Sequence, residues 1–498
     1  MADYEKKINR MLDRWAFKKK KVKRRQTTQD EIKNRQQSSV EYNGNGTFIT
    51  EAEKKTPVSK RCEVLVVGGG PAGLSAAISS ARAGAQTLIV ERYGCFGGVI
   101  TTVGMETLAW YRYEGTVDSE GVGVEMERLA EKMGGTIKWP YNDSQCLDAD
   151  YFKIVADQLI KDNKVTPLLH TLVVEVIKDG PFVRGVIVEN KSGRQAILAD
   201  RVVDCTGDAD VAYLSGAKFR QTAKKEMMGV TTVFSCSGID KEKFIRYTKE
   251  NPRTYEDWGE SWNQQTSLKE KKLNSPYLQE EFARARKEGL IPQSATNICG
   301  SWSALSDAGE ATNLNLIHLS PFDATDVDDL TRAEMEGRRQ TLYALKALQH
   351  FVPGFEKAKL RNFGMTLGVR DTRKIIGQYD LKEADVMGQY RCHDSVGIFP
   401  EFIDGYSILI LPTTGRYFQV PYGCLIPKGN VENLVVAGRC VAGDRVSHAA
   451  MRNMMACTVT GQGAGVAAAV SIKQNKSFRD IDIAGLHEEL RKQKVRID

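Results

Sequence analysis

Three glycines near the start of the chain have the spacing of a dinucleotide-binding turn. Gly68, Gly70 and Gly73 match the pattern G-x-G-x-x-G, and Glu91 follows 18 residues after the last of them. Glycine at these positions permits a tight turn, a close approach of the backbone to a pyrophosphate, and close packing of a helix on a strand. Glu91 would accept hydrogen bonds from ribose hydroxyls. The motif predicts a dinucleotide site and leaves FAD and NAD open as the ligand.

The residues around these glycines predict one β-α-β unit. The continuous apolar run 64–67 is typical of a buried parallel strand, and the alanine-rich segment 74–83 is typical of a helix. Residues 87–90 then predict a second strand that ends at Glu91. A glycine-rich turn can serve packing alone, but the agreement of strand, helix, second strand and terminal acid favours nucleotide binding.

Later segments predict a meander and a return to the sheet. Alternating residues within 172–199 indicate three antiparallel strands, and the apolar run 201–204 indicates a further strand. The other segments with helix or strand patterns are the charged stretches near 265–288 and 332–348, the apolar strand at 433–438 and the small-residue helix at about 455–471.

Composition narrows the class of protein. The chain has 498 residues, 41% hydrophobic and 27% charged, which is ordinary for two or three globular domains. Its ten cysteines are scattered, without a C-x-x-C pair or repeated Cys/His spacing, so we predict no metal site and a reducing compartment, the cytoplasm. No run of about 18 apolar residues is evident, so we expect no membrane span.

The front of the chain carries much of the formal net charge of +7. A basic run at 18–25 lies in the polar segment 1–60, which we interpret as an N-terminal extension. Its charge could contact an acidic partner, a nucleic acid or another subunit of an oligomer. A solvated extension without a partner is the alternative interpretation.

Four motifs in the same order resemble those of flavoproteins. They are V-L-V-V-G-G-G-P-A-G (64–73), I-V-E-R-Y-G-C-F-G-G (89–98), R-V-V-D-C-T-G-D-A-D-V-A (201–212) and N-L-V-V-A-G-R-C-V-A-G-D (433–444). These motifs resemble the glutathione-reductase structural superfamily. The run from about 60 to 495 is similar to the family of FAD-dependent oxidoreductases, with added matches at 368–379, 421–429 and 447–454.

The resemblance implies an α/β fold with FAD as cofactor. We expect a Rossmann-like FAD-binding domain with a β-meander, an inserted α+β substrate domain and the basic N-terminal extension. The predicted parts are the extension at 1–60, the FAD-binding domain at 61–225 and 421–498, and the substrate domain at 226–420.

The resemblance also implies which residues contact FAD. They are Gly68, Gly70, Ala72 and Gly73 at the pyrophosphate, Glu91 at the adenosine ribose, Arg92 at the adenine side, Gly97 and Gly98 under the pyrophosphate and ribityl chain, Val174 at the adenine, Thr206 and Gly207 beside the adenosine half, Asp444 at a ribityl hydroxyl, and the helix beginning near Met455 at the flavin pyrimidine. At the flavin pyrimidine, a helix N-terminus favours the negative charge that develops on reduction.

Four residues are candidates for catalysis: His448, Arg452, Arg370 and Arg373. His448 has the proton affinity needed to exchange a proton, and a structural histidine bonded to a backbone carbonyl is the equal alternative. Arg370 and Arg373 could clamp an anionic group. Pairing with Asp371 or with backbone carbonyls is the alternative for both.

These features predict an FAD-dependent oxidoreductase that transfers a hydride between the flavin and a small organic substrate. Only one G-x-G-x-x-G is evident, so electrons would be exchanged with a separate partner such as free NAD(P)H or another redox protein. The alternatives are the flavin subunit of a larger electron-transfer complex and a nucleic-acid-associated flavoprotein. No aromatic-interleaved basic stripe supports the last of these.

Overall fold

The computed structural model describes residues 51, 53–139, 143–253, 278–412 and 414–498, without the side chains of residues 299 and 301. The chain divides into two units, Met1–Lys55 and Thr56–Asp498. The basic run at 18–25 and most of the helical stretch near 265–288 lie outside the described residues.

The described part of Thr56–Asp498 contains twenty strands and eleven α-helices. The strands are β1 (Val58–Val67), β2 (Thr87–Val90), β3 (Thr136–Lys138), β4 (Gln145–Leu147), β5 (Thr166–Leu168), β6 (Leu172–Asp179), β7 (Phe182–Asn190), β8 (Gly193–Asp204), β9 (Phe219–Gln221), β10 (Val230–Ser237), β11 (Ile298–Ser301), β12 (Ala304–Leu305), β13 (Glu310–Leu319), β14 (Lys359–Phe363), β15 (Arg373–Ile375), β16 (Ser395–Pro400), β17 (Ile403–Gly405), β18 (Ile408–Ile410), β19 (Tyr417–Pro421) and β20 (Leu434–Val436). The helices are α1 (Pro71–Arg82), α2 (Val122–Lys132), α3 (Ala149–Asp162), α4 (Asp210–Leu214), α5 (Lys241–Glu250), α6 (Gln279–Lys287), α7 (Val327–Phe351), α8 (Glu383–Met387), α9 (Arg445–Met451), α10 (Met454–Lys473) and α11 (Ile483–Lys492).

The first sheet has the strand order β5-β2-β1-β8-β7-β6, and β20 also pairs with β8. Strands β5, β2, β1, β8 and β20 run parallel, whereas β6, β7 and the first part of β8 form an antiparallel meander. The predicted Rossmann-like α/β sheet with a β-meander is confirmed. One detail differs, because the predicted third meander strand and the returning strand are one continuous strand, β8, whose two ends pair with different neighbours.

The central strand β1 explains why the sequence carries a continuous apolar run at this point. Its last four residues, Val64 to Val67, are at most 4% exposed, because the sheet is covered on both faces. The chain then turns at Gly68 and enters α1 at Pro71, a residue that suits the first helical position because it lacks an N–H donor.

Helix α10 packs against α1 with almost no space between the two backbones. A Cβ atom added at Gly461 would lie 2.1 Å from the carbonyl oxygen of Ala72, and one at Gly465 would lie 2.1 Å from that of Ala76. By length and mean hydropathy (1.3) α10 could cross a membrane, which was not anticipated from the sequence. However, 94% of that stretch is buried inside the protein, as in a core helix.

The second sheet has the order β11-β13-β10-β14, with β12 also paired to β13. It has its own hydrophobic core, which runs in sequence from Val230 to Leu367 and includes residues of α5, α6 and α7. Apolar residues from Ile375 to Ile426 pack in the core of the first sheet instead. The predicted domain boundaries at 225 and 420 stay predictions.

Gly465→Ala should destabilise the protein, because the new methyl group would force α10 away from α1. We expect a loss of about 2 kcal/mol in the free energy of unfolding, as for other overpacked cores. The matched control is Gly485→Ala in α11, whose Cβ would meet only the ends of the Gln474 and Asp482 side chains. Urea unfolding of both variants measures the difference, and equal stabilities would contradict the close helix contact.

Candidate functional site

A cavity of about 790 Å³ lies at the carboxyl ends of the parallel strands of the first sheet. One wall comes from the segments that follow β1, β2, β8 and β20, and the opposite wall comes from β10, β13 and residues 366–370. Ligands of open α/β sheets bind outside the carboxyl ends of the strands. The volume is that of a pocket for a cofactor or a drug-sized ligand.

The glycine turn leaves no room for side chains. Gly68 has φ +98°, and a Cβ atom there would lie 2.4 Å from the carbonyl oxygen of Cys205. A Cβ atom at Gly73 would lie 1.8 Å from the Gly68 carbonyl oxygen, and one at Gly98 would lie 2.6 Å from the Cα atom of Gly70. These close approaches bring three backbone segments together at one edge of the cavity.

Helix α1 begins directly at this edge. Its N-cap residue is Gly70, which has no side chain to bond the first backbone N–H groups. Uncapped N–H groups and the helix dipole make such an N-terminus a site for anions, above all phosphate. Together with the absence of a Cβ atom at Gly70 and Gly98, this leaves a cradle that suits a pyrophosphate.

The Glu91 carboxylate is fixed in the cavity wall by two backbone donors. Its Oε2 accepts from the N–H of Gly69 at 2.7 Å, and its Oε1 accepts from the N–H of Tyr93 at 2.9 Å. Glu91 is 7% exposed and lines the cavity at the end of β2. A carboxylate held here can accept further hydrogen bonds from a ribose.

The turn after β8 is held by a buried carboxylate. Asp204 accepts from the Thr206 N–H at 3.0 Å, the Thr206 hydroxyl at 2.7 Å and the Ala212 N–H at 2.9 Å. Burial raises the pKa of Asp204 to about 6. Because these three donors fix the turn, Thr206 and Gly207 face the cavity.

An ion pair lies beside this turn, and it was not predicted from the sequence. Arg439 directly follows Gly438 at the end of β20, lines the cavity and pairs with Asp208. One signal could have indicated Arg439. It comes within three residues of the end of β20, and the first residues after a parallel strand are the ones that reach the cavity.

The N-terminus of α10 also faces the cavity. The helix starts at Met454, one residue before the predicted start, and Asn453, Met454 and Cys457 line the cavity. The Asn453 amide does not cap the helix and instead donates to the carbonyls of Ala449 and Ala450. Met455 is fully buried behind the wall.

The structure brings ten of the seventeen predicted site residues together around the cavity. They are Gly68, Gly70, Ala72, Glu91, Arg92, Gly98, Thr206, Gly207, Arg370 and Arg452. The other seven do not line it, and they are Gly73, Gly97, Val174, Asp444, Met455, His448 and Arg373.

Gly73 and Gly97 support the turn from behind the wall, while Val174 and Asp444 lie elsewhere. Val174 is a half-buried residue of the meander strand β6. Asp444 caps α9, since its Oδ1 accepts from the Ser447 N–H at 2.8 Å and its Oδ2 from the Glu383 N–H at 2.7 Å. The predicted ribityl contact of Asp444 is therefore not supported by its position.

His448 has the structural role that was its alternative interpretation. The imidazole is buried, and its Nε2 donates to the carbonyl oxygen of Arg370 at 3.0 Å. Burial and the nearby Lys374 lower the pKa of His448 to about 3, so the ring is neutral at physiological pH. His448 thus holds the backbone of Arg370, which does line the cavity.

Arg373 also points away from the cavity. It bonds the Asp210 carboxylate at 2.9 Å and the Asp208 carbonyl oxygen at 3.2 Å, and its guanidinium lies over the Tyr213 ring at 4.2 Å. These contacts tie β15 to α4. A clamp formed by Arg370 and Arg373 together is therefore not supported.

A hairpin with two strained residues lines the cavity near Arg370. Tyr406 (φ +53°) and Ser407 (φ +62°) connect β17 to β18 in a turn type that normally takes glycine or asparagine. The Tyr406 hydroxyl donates to Asp371 Oδ2 at 2.6 Å, and Lys374 Nζ bonds Asp371 Oδ1 at 2.5 Å. This buried network fixes the hairpin against the segment that carries Arg370.

His318 on β13 lines the cavity and had no signal in the sequence. A bulge between the pairs Thr232–Ile317 and Phe234–Leu314 shifts the register of β13 by one residue. Simple alternation would place His318 on the opposite face from Asn315, but the bulge lets both residues reach the cavity.

Comparisons with known proteins agree with a flavin site. The model of a family described as FAD dependent oxidoreductase matches residues 63–490. The chain belongs to this family. It is therefore an FAD-dependent enzyme and a flavoprotein, and the predictions of family, cofactor and enzyme class are confirmed.

The residues at the nucleotide end of the cavity fit FAD. The pyrophosphate would lie at the cradle of Gly70, Gly98 and the α1 N-terminus, and Glu91 would hold the adenosine ribose. The N-terminus of α10 would lie near the flavin. In the described part of the chain, no group of three or more His, Cys, Asp and Glu side chains is arranged to hold a metal ion.

The protein is also similar to individual relatives over short segments. It is 48% identical over 64 residues to an NADH dehydrogenase of Bacillus subtilis (13% of this chain, 11% of that protein) and 36% identical over 77 residues to an NADH oxidase of Thermoanaerobacter brockii (15% and 12%). The chain thus spans only about a tenth of the length of these curated relatives.

Solved structures of low identity cover most of the chain. One is p-nitrophenol 4-monooxygenase PnpA from Pseudomonas putida, with a TM-score of 0.43, 12% identity, and coverage of 87% of this chain and 85% of that chain. Another is L-proline dehydrogenase from P. horikoshii, with a TM-score of 0.40, 12% identity and coverage of 88% and 100%.

Glu91→Gln should weaken FAD binding. The neutral amide is a poorer acceptor for ribose hydroxyls, and hydrogen bonds to charged groups contribute about 1.5 kcal/mol or more, or roughly tenfold in affinity. Glu63→Gln on β1 is the matched control, since Glu63 accepts from the Gln86 N–H and does not line the cavity. Titration of the apoprotein with FAD measures both, and equal affinities would contradict the role of Glu91.

Glu106→Gln should change how stability depends on pH. Burial raises the pKa of Glu106 to about 8, although the hydrogen bond that the Thr312 hydroxyl donates to Glu106 opposes this shift. The folded chain therefore holds a proton that the unfolded chain releases above about pH 4.5, so the free energy of unfolding falls as pH rises from about 5 to 8. The variant should lose this fall, which amounts to about 3.5 kcal/mol at about 1.36 kcal/mol per pKa unit, measured by urea unfolding across that range. Parallel curves for the two proteins would refute it.

Proposed function

We propose that this enzyme transfers a hydride between FAD and a small organic substrate bound in the inner part of the same cavity. The observation that carries the proposal is the continuity of the cavity. It reaches from the glycine turn of the first sheet to polar side chains of β13 in the second sheet. A hydride acceptor and its substrate need such a shared space, because they must lie in contact.

The inner cavity has the features of a substrate site. Met105, Leu108 and Trp110 supply apolar surface, while Arg370 and Arg452 supply positive charge. A mostly apolar pocket with a few placed polar groups orients a small molecule and excludes water. These side chains would hold the substrate while the nucleotide end holds the cofactor.

Protein groups at the nucleotide end would stabilise the negative charge of the phosphates and of the flavin. Bound FAD supplies the two-electron redox chemistry. Arg92 and Arg439 line the cavity near the pyrophosphate cradle, where positive charge offsets phosphate charge. The N-terminus of α10, which begins at Met454, favours negative charge at the flavin.

We propose free NAD(P)H or another redox protein as the separate electron partner. The similarity to proteins named NADH dehydrogenase and NADH oxidase supports NAD(P)H, although it covers only short segments. The sequence has one G-x-G-x-x-G turn, so NAD(P)H would reach the flavin through the cavity opening. We also propose the cytoplasm as the location, because the nine cysteines whose side chains the structure describes are all free, which suits a reducing compartment.

The purified protein should bind FAD and exchange electrons with a nicotinamide. We expect a flavin absorption spectrum, FAD on chromatography of the released cofactor, and bleaching of that spectrum when NADH or NADPH is added without oxygen. Bleaching should reverse on addition of an electron acceptor. Bound FAD that stays oxidised with both nicotinamides would contradict NAD(P)H as the donor, and a protein that binds no FAD would contradict the whole proposal.

A further inference from the structure

The inner end of the cavity carries a cluster of polar groups on β13 and two arginines. Asn313, Asn315 and His318 line the cavity from β13, and Arg370 and Arg452 line it from the loop after β14 and the end of α9. None of these five residues belongs to the cradle at α1. We call them the inner polar cluster.

The two arginines of the cluster are held in place by neighbouring backbone and acid groups. Arg370 Nη1 donates to the Gly229 carbonyl oxygen at 2.8 Å, and its Nη2 lies 3.5 Å from Asn315 Oδ1. Arg452 Nη2 donates to Asp404 Oδ2 at 2.8 Å, while its buried Nε has no hydrogen-bond partner among the described residues. Both guanidinium groups are thus fixed in place, and both line this end of the cavity.

His318 is close to both arginines. Burial and the positive charge of Arg370 and Arg452 lower the pKa of His318 to about 3, although a hydrogen bond to the Asn315 backbone opposes the shift. The ring is therefore neutral at physiological pH. A neutral imidazole carries one N–H, which here bonds the Asn315 carbonyl oxygen, so the buried Nε2 is an acceptor without a partner among the described residues.

Asn313 has an acceptor that nothing in the described protein satisfies. Its Nδ2 donates to Thr107 Oγ1 at 3.1 Å and to the Ser303 hydroxyl, so the amide is fixed in orientation. Its Oδ1 is buried without a hydrogen-bond partner among the described residues, although Asn313 is only 4% exposed and lines the cavity. Buried polar atoms in folded proteins are nearly always bonded, so this oxygen calls for a donor from a ligand.

We propose that the inner polar cluster recognises an organic carboxylate that also carries a hydroxyl or amino group, with Arg370 and Arg452 at the carboxylate and the acceptors Asn313 Oδ1 and His318 Nε2 at the hydroxyl or amino group. The proposal rests on the proposed function in taking this cavity as the substrate site. It narrows the substrate class to hydroxy acids and amino acids, which would give a hydride to FAD and a proton to solvent and become oxo or imino acids, with the separate redox protein as electron acceptor. It also adds His318 and Asn313 as binding residues.

The first test compares three ligands on the FAD-loaded protein. Mandelate carries both groups, phenylacetate lacks the hydroxyl, and mandelamide lacks the charge. We expect mandelate to bind tightest, phenylacetate about fivefold more weakly and mandelamide at least about tenfold more weakly, measured by calorimetry and by the shift of the flavin absorption spectrum. Equal binding of all three, or no binding of mandelate, would overturn the proposal.

The second test assigns the contacts to residues. Arg452→Gln should weaken mandelate binding about tenfold. Arg361→Gln, the same change of charge at a half-exposed side chain on β14 outside the cavity, should leave it unchanged.

Asn313→Gly suits the backbone because φ is +50°, and it should weaken the binding of mandelate but leave that of phenylacetate unchanged. Asn475→Gly at φ +51° is its control. Mandelate affinities that do not change in Arg452→Gln or Asn313→Gly would refute the assignment.

The third test concerns His318 and uses a conservative partner. His318→Asn keeps a hydrogen-bond acceptor and should retain most of the mandelate affinity, whereas His318→Leu should lose it several-fold. Equal affinities in the two variants would remove His318 from the site. These measurements need no electron transfer, so mandelate binding with a flavin that nicotinamides cannot reduce would contradict only NAD(P)H as the electron donor and not the substrate site.

Discussion

The contact between the backbones of α1 and α10 determines the geometry of the nucleotide end. Gly461 and Gly465 bring α10 so close to α1 that each would clash with a carbonyl oxygen of α1 if it carried a Cβ atom. The same packing principle recurs where Gly73 meets Gly68. Because both helices are fixed to the first sheet and to each other, their N-termini open on the same cavity, and two sources of positive potential face the cofactor.

The inner end of the cavity depends on buried charge rather than on close helix packing. Burial is the largest single influence on the pKa of Asp371 and raises it, but its charged and hydrogen-bonding neighbours, Lys374 first among them, together lower the pKa below its usual value, so the acid stays ionised in the interior. A buried ion pair costs desolvation energy and is retained where its hydrogen bonds fix a specific arrangement. Here the pair bonds the strained residue Tyr406, and His448 beside it bonds the Arg370 carbonyl. Asp371, Lys374 and His448 therefore position cavity residues without lining the cavity themselves.

The part of the site that local chemistry determines could be predicted from the sequence. The turn at Gly68 and Gly70 needs positive φ or a close approach of the backbone, which restricts these positions to glycine. Glu91 must follow a strand of known length, so the spacing of these residues was enough to locate the turn and the acid. The family resemblance implied Asp444 in the last motif, whereas the structure places Arg439, three residues after the end of β20, in the cavity wall. Residues on the first sheet could thus be placed to within a few positions.

The second half of the site depends on tertiary structure that no local pattern encodes. His318 reaches the cavity through a bulge in β13, and strand alternation predicts the opposite face for it. Asn313 gains its importance from bonds to Thr107 and Ser303, which are far away in sequence. His448 looked like a proton-transfer group because histidine often is one, but the fold buries it against a carbonyl.

The most direct test of this account is a crystal structure of the protein with FAD. The account predicts pyrophosphate density within hydrogen-bond distance of the backbone at Gly70 to Ala72, a ribose at the Glu91 carboxylate, and the flavin ring near the start of α10. FAD bound with its pyrophosphate away from α1, or with Glu91 in contact with no part of the nucleotide, would contradict the account.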